Sequence, residues 1–440
     1  VSRHGLPSSG GLDAELAWLE SHVNLEAIEA GTWVRPSLDR MQRLLGLMDD
    51  PHLAVPVIHI TGTNGKGSTA RIAASLLAAR GLGVGLYTSP DLEAVNERIA
   101  VRGQDISDEE LAELLGSIRL LESMLEERPT RFEILTAAAF RHFADVGVDV
   151  AVVEVGMGGR FDATNVVRSA VSAVTNVSLD HEEILGPGLE KIAWEKAGVV
   201  KAGGQLVLGV EVERLAKIFA DEARAVGAGV LRRWSDFACE ANVMAHGGRL
   251  VTLATPWGRY EDVFLALHGS HQGDNAAVAL TAVDALFGAA SGEQVVSEAL
   301  QRVRVPGRLE VMRREPLVLL DGAHNLAGAE ALGKSLAEEF APGGRRYFIV
   351  GMLRGRDERA MLERMGVGAG DQVLVSAPPS PRAMDASKVA DSARSLGASA
   401  KVVASVAGAL DEALGEAGRD DQIVVSGSLY LVGAARSLLH

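Results

Sequence analysis

Two rhythms alternate along this chain. Short, nearly continuous runs of Val, Ile and Leu are separated by longer stretches in which apolar residues recur at helical spacing, the signature of buried parallel strands joined by crossover helices. Residues 12–50 read as helical. A first strand follows Pro56, Val57 to Ile60, and runs into a Gly-rich turn; an Ala/Leu-rich helix continues to about Arg80 and is closed by Gly81. A second strand spans Val84 to Tyr87. Phe132 to Val146 reads as helix, Val148 to Val155 and Ala170 to Val177 as buried strands, Leu189 to Ala197 as helix and Leu206 to Leu208 as strand. Residues 229–268 break the rhythm with short segments and turns, a small β-rich excursion, and a helix covers Asn275 to Phe287. A second unit opens near Val305-Pro306-Gly307-Arg308, with strands at Leu317 to Leu320, Tyr347 to Val350, Val373 to Ser376, Val402 to Ser405 and Ile423 to Ser426. The pattern predicts an α/β protein: an N-terminal parallel-sheet unit over 1–304 and a C-terminal Rossmann-like α/β unit over 305–440. No G-x-G-x-x-G follows the first strand of the second unit, so it is not read as a dinucleotide site.

Composition narrows the class. Hydrophobic residues make up 47% and aromatics 4%, so the cores are built from Ala, Val, Leu and Ile. Lys and Arg number 43 against 58 Asp and Glu, a formal charge of −15, which leaves no basic footprint for a nucleic-acid partner. Cys239 is the sole cysteine, which excludes an intramolecular disulfide and a four-cysteine zinc site and fits a reducing, cytoplasmic setting. Val1 to Leu16 carries no apolar stretch of signal-peptide type, and no run approaches the ~18 apolar residues of a membrane span.

Four segments carry candidate chemistry. Thr61-Gly62-Thr63-Asn64-Gly65-Lys66-Gly67-Ser68 joins a strand to a helix. Its backbone N–H groups and the helix N-terminus make an anion site, with Lys66 reaching phosphates and the Ser68 hydroxyl suited to magnesium. The spacing departs from the general G-x-x-x-x-G-K-[ST] pattern, since Gly67 separates the lysine from the hydroxyl. Val153-Glu154-Val155-Gly156-Met157-Gly158-Gly159-Arg160 puts a carboxylate at the end of an apolar strand; it serves either magnesium or a structural ion pair with Arg160. Asp180-His181 follows a strand ending in Thr175-Asn176-Val177, and Lys196 lies in Trp194-Glu195-Lys196-Ala197-Gly198. Taken alone, a satisfied histidine and a solvated Glu-Lys pair are the plainer readings. Asp321-Gly322-Ala323-His324-Asn325 stands at another strand-to-helix junction, as a site or as a helix cap.

In order, T-G-T-N-G-K-G-S, E-V-G-M-G-G-R-F-D-A-T-N, L-D-H-x-x-x-L-G, E-K-A-G, H-Q-x-x-N-A, P-G-R and D-G-A-H-N resemble the Mur ligase superfamily, specifically folylpolyglutamate synthase/dihydrofolate synthase. The C-terminal Ser426-Gly427-Ser428-Leu429-Tyr430-Leu431-Val432-Gly433 is similar to that family too, and the likeness covers roughly residues 15–440. The resemblance implies a P-loop ATPase domain and a Rossmann-like ligase domain with the active site between them. It implies an ATP-dependent ligase that adds L-glutamate to dihydropteroate or a reduced folate through an acyl-phosphate. Carried over by motif, Thr63, Asn64, Gly65, Lys66, Gly67 and Ser68 hold the nucleotide phosphates, joined by Asn275, Arg308 and Asp321. Ser68 and Glu154 hold one magnesium ion; Ser89, His181 and a carbamylated Lys196 serve a second. Lys66, Lys196, His324 and Arg308 are the catalytic expectations, and a monomer is the expected state.

Two segments depart from the family pattern. Ser89-Pro90-Asp91-Leu92 stands where Ser-Pro-His-Leu is usual, placing a negative charge near the acid substrate, and Gly351-Met352-Leu353-Arg354-Gly355-Arg356-Asp357 replaces G-M-L-x-D-K-D. The alternative is a Mur-type ligase acting on a non-folate carboxylate. The roughly 55 residues before the first strand are fewer than a separate UDP-sugar domain needs. A guanine-reading switch is disfavoured because no N-K-x-D occurs, and a catalytically dead binding protein because Lys66, Glu154, His181, Lys196 and His324 are all present.

Overall fold

In the computed structural model, residues 11–24, 37–341 and 343–440 are described. Of the helical reading for residues 12–50, helices Leu12–Glu20 and Asp39–Gly46 are seen, and residues 25–36 lie outside the described residues.

An eight-stranded sheet organises the N-terminal part. Its order is Gln104–Asp105, Ile99–Val101, Val84–Tyr87, Val150–Glu154, Val57–Thr61, Val171–Val174, Gln205–Leu208 and Gly229–Arg232. All neighbours pair in parallel except the first two strands, which turn antiparallel at the edge. The three central strands, Val150–Glu154, Val57–Thr61 and Val171–Val174, are buried along their whole length, which explains why they read as unbroken apolar runs. Helices Lys66–Ala79 and His271–Phe287 cover one face; Asp108–Glu122 and Arg131–Val146 cover the other. The expected excursion over 229–268 resolves into two parts. Gly229–Arg232 closes the main sheet, while Ala238–Ala245, Gly248–Thr255 and Gly258–Leu265 form a separate antiparallel sheet.

The C-terminal sheet runs Glu310–Arg314, Leu317–Leu320, Gln422–Ser426, Arg346–Val350, Gln372–Val375 and Ser399–Val402, parallel but for the first strand. The strand read at Val402 to Ser405 lies three residues earlier, because Ser405 is the cap of helix Val406–Glu416 and accepts from the Gly408 amide at 3.1 Å. As an edge strand, Ser399–Val402 is largely exposed and lacks the apolar run that marks the central strands.

The N- and C-terminal parts meet closely along one seam. Gly433, in helix Leu429–Leu439, lies flush against the backbone carbonyl of Leu92, leaving no room for a Cβ, and the Leu92 side chain packs against Gly307. Arg436, one turn on, pairs with Glu93 at 2.8 Å. At a second seam Arg249 pairs with Glu339, both side chains buried, and Glu339 also accepts from His268 Nδ1 at 3.0 Å and the Gly269 amide at 2.9 Å. Gly433→Ala is expected to destabilise the protein by about 1–3 kcal/mol through overpacking, seen as an earlier urea midpoint; an unchanged midpoint would show that the seam yields freely.

Candidate active site

The chemistry-bearing loops all leave the carboxyl ends of adjacent strands. In the N-terminal sheet these are the loop after Val57–Thr61, the Gly156–Gly159 loop after Val150–Glu154, and the Thr175–His181 segment after Val171–Val174. In the C-terminal sheet they are Asp321–Asn325 after Leu317–Leu320, Gly427–Leu429 after Gln422–Ser426, and Gly351–Arg356 after Arg346–Val350. The two sets face each other across one cavity of about 480 Å³, where every residue named above as a site expectation contributes to the lining. Ligands of open α/β sheets bind at this strand edge because strand ends and helix N-termini leave free backbone N–H groups there.

The phosphate loop is braced by its neighbours. Gly65 adopts φ +82° as the residue before helix Lys66–Ala79, and its missing Cβ admits the Asn275 side chain. The Asn64 amide donates to Asn176 Oδ1 at 3.0 Å, and its carbonyl accepts from Thr175 Oγ1 at 2.6 Å and Asn176 Nδ2 at 2.9 Å. Thr63 Oγ1 donates to the Ser178 carbonyl at 3.1 Å. Asn275 Nδ2 donates to Gln272 Oε1 at 2.9 Å, and Gln272 Nε2 reaches Ser68 Oγ at 3.4 Å. Thr175, Asn176 and Gln272 were not among the expected site residues. The strand-end polar pair Thr175-Asn176 and the Gln of H-Q-x-x-N-A were the available signals.

Two lysines converge on one carbonyl. Lys66 Nζ donates to Gly62 O and Thr63 O, each at 3.2 Å, and buried Lys196 Nζ donates to the same Gly62 O at 2.8 Å. Burial, with Lys66 as the next cause, pushes the Lys196 amine down to about 7. Lys196 is therefore no solvated surface residue. Glu154 is buried, and burial raises its carboxyl against the pull of Lys66; Oε2 accepts the Ser89 amide at 3.1 Å, and the missing Cβ of Gly67 would touch it. The ion pair with Arg160 that competed for Glu154 does not form: Arg160 binds Glu222 through both terminal nitrogens and stacks over Trp194. Ser89 thus lies beside Glu154, the carboxylate expected at the other ion.

His181 sits at φ +53° with Nδ1 buried and without a hydrogen-bond partner, and burial holds its ring down to about 4, so it is neutral at pH 7. Asp180, beside it, meets Arg356, Asn325 and His324 of the C-terminal part. Burial alone would raise Asp180; positive charge on His181, His324 and Arg356 would each lower it, and with both rings pushed down by burial the Arg356 guanidinium is the partner that holds the carboxyl below its usual range. Since His181 is neutral, Arg356 is the standing cation. Across the cavity, Asp321 accepts from the Leu309 amide at 3.0 Å and the Ala323 amide at 2.9 Å, fixing the P-G-R turn against the D-G-A-H-N loop. His324 Nδ1 pairs with Gly322 O at 2.9 Å, so the Nε2 side of the ring faces Asp180. The absent Cβ of Gly322 leaves space for the Arg308 guanidinium.

The charge of Asp91 is answered within the protein. Its carboxylate pairs with buried Arg98 at 2.5 Å, and although burial opposes it, Arg98 and Arg131 lower its pKa. The aspartate therefore presents a compensated charge.

Comparison with known proteins decides the family. Residues 60–283 match the Mur ligase middle domain and 307–429 the Mur ligase glutamate ligase domain. The dihydrofolate synthase/folylpolyglutamate synthase of Mycobacterium tuberculosis is 37% identical over 92% of this chain and 91% of its own length. The chain belongs to the folylpolyglutamate synthase/dihydrofolate synthase family. The Lacticaseibacillus casei folylpolyglutamate synthase is 34% identical, over 91% and 94% of the two chains. Among solved structures, M. tuberculosis folylpolyglutamate synthase complexed with ADP superposes with TM-score 0.91 at 35% identity, covering 97% and 98%. A bifunctional synthase with Mn, AMPPNP and L-glutamate bound gives 0.84 at 29% identity, covering 98% of each chain. E. coli FolC with DHPP and ADP gives 0.86 at 29%, covering 99% of each. Members of this family are ADP-forming ligases, and the two α/β sheets here are the family's nucleotide-binding and ligase parts. Among the described residues no helix is long and apolar enough to cross a membrane.

Lys196 makes a pH prediction. An amine protonated up to about 10.5 in the unfolded chain and only below about 7 in the fold weakens the fold as pH falls through that window. In CO₂-free buffer, Lys196→Met should gain on the wild type by roughly 2–3 kcal/mol between pH 9.5 and 7. Equal differences in unfolding free energy at the two pH values would contradict the burial.

Proposed function

We propose that this enzyme joins L-glutamate to the carboxylate of dihydropteroate, of a reduced folate, or of both, using ATP. The observation that carries this reading is the meeting in one cavity of a phosphate loop from one sheet with Arg308 and His324 from the other. The relatives' bound ADP, AMPPNP, DHPP and glutamate support it. The compensated charge of Asp91 removes the main sequence argument for a non-folate acid.

In this reading, residues Thr63 to Ser68 cradle the ATP phosphates, with Asn275 beside the loop and Asp321 on the nucleotide from the opposite side. The acid's carboxylate oxygen attacks the γ-phosphorus, ADP leaves, and an acyl-phosphate forms. The neutral glutamate amine then attacks the acyl carbon. As the tetrahedral intermediate collapses, the bond from that carbon to the phosphate oxygen breaks, inorganic phosphate departs and the nitrogen's surplus proton leaves with it. Lys66 and Arg308 offset the negative charge that accumulates as two anions meet, which is the larger part of catalysis for such transfers. His324 lines the same cavity with its Nε2 side toward Asp180. Closure of the C-terminal part, residues 305–440, over the N-terminal 1–304 excludes water from the acyl-phosphate.

The residues fit divalent ions. Glu154 is buried beside the phosphate loop without an ion-pair partner among the described residues, and a carboxylate with a nearby hydroxyl suits magnesium, an ion that keeps water and phosphate oxygens as its other ligands. Ser68 and Glu154 would hold one ion; His181, with its unpartnered Nδ1, Lys196 as its carbamate and Ser89 would serve the second. Magnesium supplies charge neutralisation at the phosphates. A half-neutral amine near pH 7 is competent to add CO₂, releasing one proton and leaving a carboxylate-like ligand. A ¹³C carbamate resonance in ¹³CO₂-equilibrated enzyme, lost in Lys196→Met, is expected; its absence from the wild type would leave Lys196 as an amine. We read the enzyme as a cytoplasmic monomer.

The deciding experiment is phosphate release from MgATP with glutamate, comparing dihydropteroate, tetrahydrofolate and no acid. Release should need glutamate and at least one pterin acid, and Arg308→Ala should lower kcat on the order of 100-fold with little change in nucleotide affinity of the open form. Release with neither acid, or near-normal turnover of the variant, would overturn the substrate class or the role of Arg308 respectively.

A further inference from the structure

Asp180 has so far no part in holding nucleotide, metal or acid. It is nevertheless a buried point in the cavity lining at which the two halves touch. Its own part of the chain offers it the His181 amide at 3.0 Å and the His181 ring at 3.8 Å. From the C-terminal part it receives the Arg356 guanidinium, Asn325 Nδ2 at 2.8 Å, and His324 Nε2 at 3.7 Å. Asn325 Nδ2 also reaches Asn64 Oδ1 of the phosphate loop at 3.0 Å, while Asn325 Oδ1 caps helix Leu326–Glu338 through the Gly328 amide at 2.8 Å. One carboxylate therefore sets the phosphate loop, the ligase helix and the His324 ring in a single register.

We propose that Asp180 and Arg356 are positioning residues for ligation: they pair across the gap when the halves come together, and the pair fixes His324 and Asn325 over the phosphate loop. The proposal rests on the ligase reading above. The energetics suit a reversible contact. Apart, both groups are solvated; together, their attraction is largely offset by lost hydration, so the pair selects a geometry without locking it. Removing one partner is different, because the other is then left buried and unpaired in the closed form. The planar fork of Arg356 serves a carboxylate that also accepts from an amide side chain, Asn325.

The test compares Arg356→Ala, Arg356→Lys, Asp180→Asn and the double variant Asp180→Asn/Arg356→Ala. Arg356→Ala should lower kcat on the order of 100-fold, the scale of a slightly misplaced reacting group, while affinity for a non-hydrolysable ATP analogue changes less than about threefold. Arg356→Lys should restore most of the turnover. The double variant should be no worse than the poorer single, since the two residues act as one unit. Small-angle scattering with the analogue and acid bound should show compaction in the wild type and Arg356→Lys but less in Arg356→Ala. Near-normal turnover of Arg356→Ala, multiplying losses in the double variant, or equal compaction would each overturn the proposal. Should Arg356→Ala not fold, Asp180→Asn, which keeps the side-chain shape, carries the same comparisons. Scattering does not depend on turnover, so a failed ligase reading would remain distinguishable from a failed positioning pair.

Discussion

Parallel strands impose a constraint on which the rest of this molecule depends. Each must be followed by a crossover, and each crossover helix begins at the strand's carboxyl end with unsatisfied N–H groups. Two sheets set with those ends opposed create a space bordered by amide donors on both sides, in which anions are favoured before any side chain is considered. The loops at Gly62–Ser68 and Asp321–Asn325 each follow a strand of their own sheet, the first central and the second next to the antiparallel edge, and they bring different groups: lysine and hydroxyl on one side, imidazole and carboxamide on the other.

The charges inside that space are arranged economically. Net acidity of the chain does not reach the cavity, where Lys66, Lys196, Arg308 and Arg356 face the buried carboxylates Glu154, Asp180 and Asp321. Like charges crowd at the Gly62 carbonyl, and one of the two lysines there is driven toward neutrality. Of the carboxylates, Asp180 is held in its charged form, whereas Glu154 and Asp321 are raised by burial and lack an ion-pair partner at salt-bridge distance among the described residues. A dipositive ion beside Glu154 would oppose that upward shift and favour its charged form.

Much of this was legible in the chain. Central strands such as Val150–Glu154 are buried on both faces and so read as apolar runs, and the phosphate loop is contiguous in sequence. Edge strands failed where the physics differs: Glu310–Arg314 is half-exposed and charged, and the polar Ser399–Val402 was displaced onto its neighbour's cap. The partners of Glu154 and Asp180 were not legible, because Arg160 turns to Glu222, 62 residues away, and Arg356 arrives from 176 residues away. Such pairings belong to tertiary geometry, which local patterns do not encode.

The seam at Gly433 bears on how such a protein can diverge. Main chain meets main chain there, Gly433 against the Leu92 carbonyl, with no side chain between to absorb a mismatch. Elsewhere an altered contact is compensated by a larger or smaller neighbour; at this place only the paths of the two backbones could change. The two halves are therefore poor candidates for exchange between relatives: a chimaera would have to inherit the Ser89–Leu92 turn and the terminal helix together, or leave a gap where recombination had brought strangers face to face.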